Sequence, residues 1–131
     1  MTLREIAQRL EFQVHTGAGR LDADVTRGYM SDMLSDVMGN APIGSLWITM
    51  QKHKNIVAVA VMKSLAGILL VKGRTPDADT VAAAEEEDVV ILSTGIAVPF
   101  GADLEQFAAD EYFADVDGDN VLDAAHSAAG P

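Results

Sequence analysis

The sequence predicts an α/β domain with a largely parallel sheet and helices on both faces. Short apolar runs at Leu46–Met50, Gly67–Val71 and Val89–Leu92 have the length and make-up of buried strands. Segments of helical character, about ten residues each, separate them, which is the pattern of βαβ units. The chain has 131 residues, 49% of them apolar, enough for one domain with an independent core.

The elements follow in order. Thr2-Leu3-Arg4-Glu5 fits a capping box, and Leu3, Ile6, Ala7 and Leu10 recur at helical spacing, so a short amphipathic helix is expected over residues 2–10. Glu11 to His15 alternates, with Phe12 and Val14 expected inward on a strand. Thr16-Gly17-Ala18-Gly19 reads as a turn. Val25 to Met30 is a strand candidate. Ser31-Asp32 then caps a helix carrying Met33, Leu34, Val37 and Met38, which Gly39-Asn40 stops.

Leu46 to Met50 is the central strand. Ile56 to Leu65 is rich in Val and Ile, which favour strand. Ala58, Ala60 and Ala66, and the short turn that a second strand would require, favour helix. A helix apolar on all sides must be buried on most of them. Gly67 to Val71 is the next strand. Pro76 suits a first helical position, and residues 77–87 form a helix that packs Val81, Ala82 and Ala84 and shows Glu85, Glu86 and Glu87 to solvent. Val89 to Leu92 is the last core strand, followed by Ser93-Thr94-Gly95 and a helix over Asp103 to Ala109. The pattern is lost from about Glu111. The expected division is therefore a domain at 1–110 and an acidic C-terminal tail at 111–131.

Charge is divided unevenly. All nine Lys and Arg lie in residues 1–75 with six Asp and Glu, whereas residues 76–131 hold fourteen acidic residues and no basic one. A net charge of −11 argues against nucleic acid as a partner, because phosphate backbones select basic surfaces. The absence of cysteine excludes disulfides and thiolate chemistry. The longest apolar stretch, Ile56 to Met62, falls far short of the roughly 20 residues of a membrane span. With no secretory apolar core at the N-terminus, a cytoplasmic protein that does not engage membrane is expected.

A polar knot, Gln51-Lys52-His53-Lys54-Asn55, lies between the central strand and the apolar segment after it. Ligands of parallel α/β sheets sit at the carboxyl ends of strands. Gln51, His53 and Asn55 offer hydrogen-bonding groups and Lys52 and Lys54 positive charge, a set suited to recognising a base, ribose or phosphate. Thr94-Gly95 is expected at the same sheet edge. A surface turn explains the knot equally well. Ser31, Asp32, Ser35 and Asp36 form a polar row that reads as helix capping and exposed face, or as a pocket wall. His15, His53 and His126 have no metal-ligand spacing. His53 could serve as an acid or base. Asp115, Asp117, Asp119 and Asp123 match positions 1, 3, 5 and 9 of a calcium loop, but His126 stands where the bidentate carboxylate belongs.

Three blocks, VTRGYMSDMLSDVM, LWITMQKHKNIVAVAVM and GILLVKGRTPDADTVAAAEEEDVVILST, resemble in order those of stand-alone DRTGG-domain proteins, over about residues 1–105. The resemblance implies a fold like the N-terminal domain of HPr kinase/phosphorylase. Related domains in phosphotransacetylases, and beside nucleotide-sensing modules in some pyrophosphatases, look regulatory or assembly-forming. The eponymous D-R-T-G-G signature is absent, and Met50-Gln51-Lys52-His53 stands in its place. Any ligand role tied to the signature does not carry over. No G-x-x-x-x-G-K-[ST] phosphate loop is present, so kinase chemistry is not implied either.

The expected function is a non-catalytic regulatory, ligand-sensing or scaffold domain. It would bind a nucleotide-like or phosphorylated molecule through Gln51, Lys52, His53, Lys54, Asn55, Thr94 and Gly95, with no cofactor. It would act through homodimerisation or a partner protein. The alternatives are a small enzyme using His53 and a module stabilised by calcium at residues 115–123.

Overall fold

A computed structural model describes residues 2–95, 113–116 and 121–124. Helix α1 (Leu3–Leu10) leads into strand β1 (Gln13–Thr16) and a 3-10 turn (Ala18–Arg20). Then come β2 (Arg27–Met30), α2 (Leu34–Asn40), β3 (Ser45–Thr49), α3 (Asn55–Met62), β4 (Gly67–Leu70), α4 (Ala78–Glu87) and β5 (Ile91–Ser93). Two further strands, β6 (Phe113–Val116) and β7 (Val121–Ala124), lie where the sequence pattern offered no element.

All seven strands form one sheet in the order β1-β5-β4-β3-β2-β7-β6. Neighbours from β2 to β5 run parallel, and β1, β7 and β6 join antiparallel. Among β1 to β5, three of the four ladders are parallel, as an α/β fold requires. All five residues of β3 are buried, consistent with its central place.

The period-2 alternation of the strands divides the core in two. Met30, Leu46, Ile48, Leu69, Val71, Val90 and Leu92 face α1, where they meet Leu3, Ile6 and Ala7. Tyr29, Trp47, Ile68, Leu70 and Ile91 face the other way, onto α2, α3 and α4. Among the described residues, helices therefore cover both faces, one on the first and three on the second.

The capping box of α1 forms as expected: the Thr2 hydroxyl accepts the Glu5 amide at 3.2 Å, and Glu5 Oε1 accepts the Thr2 amide at 2.8 Å. Other local expectations shift. Val14 is 38% exposed rather than inward, because β1 is an edge strand whose register against β5 breaks between Val14 and Thr16. Asp32 does not cap α2. Its carboxylate is held by the end of β3, and the helix starts at Leu34 with no side-chain cap. Pro76 stands before the N-cap Asp77 rather than in the first turn of α4. In that helix Thr80 and Ala84 are buried while Ala82 is exposed. The helix expected at Asp103–Ala109 and much of the calcium-loop match lie outside the described residues. Among the described residues no helix is long and apolar enough to cross a membrane.

Candidate functional site

Because β2 to β5 are parallel, their carboxyl ends meet at one edge of the sheet. Strand order does not reverse within this set, so no crevice opens between diverging crossovers as it does at a switch point. The loops themselves make the cavity. It measures about 230 Å³ and is lined by Asp32 after β2, Met50, Gln51, Lys52 and His53 after β3, and Arg74 after β4.

Side chains from distant parts of the sequence fix its walls. Asp32 Oδ1 accepts the Thr49 hydroxyl at 2.7 Å and the Met50 amide at 2.8 Å. Gln51 returns the tie by donating its amide nitrogen to the Asp32 carbonyl at 2.9 Å. The Trp47 indole donates to the Ser31 carbonyl at 2.8 Å, drawing the end of β2 against β3.

The opposite wall is anchored to α4. The Lys52 carbonyl accepts the Asp77 amide at 3.2 Å and the Thr80 hydroxyl at 2.8 Å. Asp77, the N-cap residue, makes no side-chain cap of its own helix. Its carboxylate reaches Lys52 Nζ at 3.3 Å and His53 Nδ1 at 2.9 Å. The hydrogen bond from His53, helped by Lys52, outweighs the penalty of partial burial and holds the Asp77 carboxyl below the usual carboxylate range.

Arg74 is presented by a turn in which Lys72 and Gly73 both have left-handed backbone, φ 60° and 70°. The Gly73 amide donates to the Thr94 carbonyl at 2.9 Å, which pins this turn to the end of β5. Among the described residues no ion pair engages Arg74.

Of the residues singled out from sequence, Gln51, Lys52 and His53 converge on this cleft. Lys54 and Asn55 turn into α3, and Lys54 lines a different groove, between α3 and α4. Thr94 is buried at the end of β5 and Gly95 is exposed beside it; both share the sheet edge without lining the cleft. Sequence reasoning missed Asp77 and Arg74 as site residues, and weighed Asp32 mainly as a cap. The available signal was positional: each stands just past a strand end or before a helix on that same edge.

A second hydrogen-bonded pair lies away from the cleft. His15 Nε2 and Ser93 Oγ are 2.7 Å apart between β1 and β5, and burial pushes the His15 pKa down. Among the described residues no group of three or more His, Asp or Glu is placed to hold a metal ion.

Comparison with known proteins bears on the fold. No protein-family profile matches the sequence, and no curated protein is detectably similar. Among solved structures, the chain is similar to the CBS and DRTGG domains of the regulatory region of Clostridium perfringens pyrophosphatase, solved with its activator diadenosine tetraphosphate. The TM-score is 0.59 at 14% identity, covering 73% of this chain and 42% of that one. The likeness is one of fold. It agrees with the α/β architecture expected from the DRTGG-like blocks, and the chain spans less than half of that regulatory region.

Proposed function

We propose that this chain is a non-catalytic regulatory domain that senses a small anionic ligand, nucleotide-like or phosphorylated. The ligand sits in the cleft at the carboxyl edge of the sheet, within residues 1–110. Lys52 and Arg74 meet its negative charge, and Gln51 and His53 fix its orientation. Binding is passed on through homodimerisation or contact with a partner protein. The observation that carries the reading is the gathering of Lys52, His53 and Arg74 around one concave site on a chain whose net charge is −11. A fold shared with a regulatory region that binds a dinucleotide activator supports the same ligand class.

A thermal-melt screen tests it with adenine and guanine nucleotides, dinucleotide polyphosphates and small phosphorylated metabolites. A ligand at 100 times its dissociation constant stabilises the folded state by about 2.7 kcal/mol, which at this chain length raises Tm by very roughly 10 °C. The shift is expected to vanish in a folded Lys52→Ala, His53→Ala, Arg74→Ala variant. A shift that survives puts the site elsewhere. A blank across the panel favours a scaffold over a sensor.

One observation favours a second reading. Asp77 orients His53 as a carboxylate orients a catalytic imidazole, so the pair could act as acid and base. Loss of a measured turnover in folded His53→Ala would support that enzyme.

A further inference from the structure

The outer surface of the helical layer carries an exposed apolar stripe that no described element covers. On α3, Val61 is 46% exposed and Met62 68% exposed, with Ala58 exposed one turn earlier. These residues line one side of a groove of about 330 Å³ whose other side is α4, with Ala83 along it. Ile43, 76% exposed, stands next to Gly44, whose amide donates to the Ser64 carbonyl just past α3. The groove is charged at both ends. Lys54 lies at the amino end of α3, and Glu86 and Glu87 at the carboxyl end of α4.

Both helices are crossovers between parallel strands, so they run in the same direction. The basic and acidic ends of the groove are thus separated by about the 12 Å length of an eight-residue helix. Among the described residues, Lys54 has no ion-pair partner.

We propose that a second copy of this chain docks in this groove, with the two α3 helices antiparallel about a two-fold axis. That arrangement seats Met62 and Val61 of each copy on the apolar stripe of the other. It also carries the Lys54 of each copy to the Glu86 and Glu87 of the other. A two-fold interface must be complementary to itself, and a stripe that is basic at one end and acidic at the other meets that condition in the antiparallel sense alone. A parallel arrangement sets like charges against each other, which disfavours it. The inference rests on the homodimer named above and says which surface forms it. The groove shares no lining residue with the cleft, so the surface is tested without any ligand.

The test is the dissociation constant of the dimer by sedimentation equilibrium on the full chain, with circular dichroism melts to establish that each variant folds. The parent is expected near twice 13.9 kDa at micromolar concentration. Met62→Asp is expected to be monomeric. Lys54→Glu alone, and Glu86→Lys with Glu87→Lys alone, each weaken association about tenfold or more, because like charges then face each other. Combining all three reversals restores it, an outcome that a merely destabilising effect does not produce. A dimer that Met62→Asp and Lys54→Glu leave unchanged overturns this surface while the dimer stands. A parent that stays monomeric overturns both.

Discussion

Asp77 ties the start of α4 to the loop after β3, through Lys52 and His53. After Pro76 and before an alanine-rich segment it reads as a helix start, which it is. Its carboxylate, however, holds Lys52 and His53, which lie some 25 residues earlier in the chain. No local pattern encodes a tie of that kind, because the sheet creates it. The His53 hydrogen bond keeps the folded pKa of Asp77 below its unfolded value. The stability it contributes is therefore fully present above the ordinary carboxylate range, and is lost as pH falls through the depressed value. Asp77→Asn is expected to remove that part of the acid dependence, seen as a flatter Tm against pH than the parent. It also releases Lys52 and His53, so the same variant should bind ATP more tightly in a calorimetric titration. Asp32 is the counterpart on the other wall. Its carboxylate accepts two hydrogen bonds from the end of β3. Asp32→Ala is expected to cost about 1–3 kcal/mol, the range for leaving donors held out of water, here the partly buried Thr49 hydroxyl and Met50 amide, without their acceptor, measured by urea denaturation.

At the scale of elements, the sequence was most readable where local chemistry and burial agree. The capping box of α1 and the apolar run of β3 are cases of that kind. It was least readable where a tertiary partner outcompetes a local one, as at the start of α2, where Asp32 turns to β3 instead of capping. The ambiguous segment from Ile56 is helical, as its alanines suggested. Its apolar surface is only partly used in the core, since Ile56, Val57, Val59 and Ala60 are buried but Val61 and Met62 are not. The turn after β1 hides a different constraint. Gly17 has φ 75°, and a Cβ there would lie 2.7 Å from a Val90 side-chain carbon. The glycines suggested a turn, but the contact with Val90 belongs to the packing of β1 beside β5. Gly17→Ala is expected to destabilise by about 1–3 kcal/mol through overpacking, read as a lower denaturation midpoint with an unchanged slope.

For the molecule as a whole, the parallel sheet was legible because three apolar strands alternate with helical segments. Of the antiparallel additions, β1 was legible as the strand expected over Glu11 to His15, whereas β6 and β7 were not, because no apolar run or alternation marks them. Residues 113–116 and 121–124 lie in a stretch whose acidic composition reads as solvated tail. The fold depends on the layer of α2, α3 and α4 against one face of the sheet, with Val59 buried inside it. Val59→Asp places an unpaired charge there at a cost of several kcal/mol, against a total stability of about 5–15 kcal/mol, so loss of cooperative melting is expected. A variant that melts like the parent would contradict the packing described. Whether the loops at the carboxyl edge of this sheet form an anion-binding site is read by mapping amide chemical shifts while ATP is titrated in. Saturable shifts are expected, concentrated at residues 50–53 and 72–74 and spreading to Asp77, all reduced in Lys52→Ala. Shifts that cluster elsewhere, or none at millimolar ATP and at millimolar diadenosine tetraphosphate, would contradict a site there.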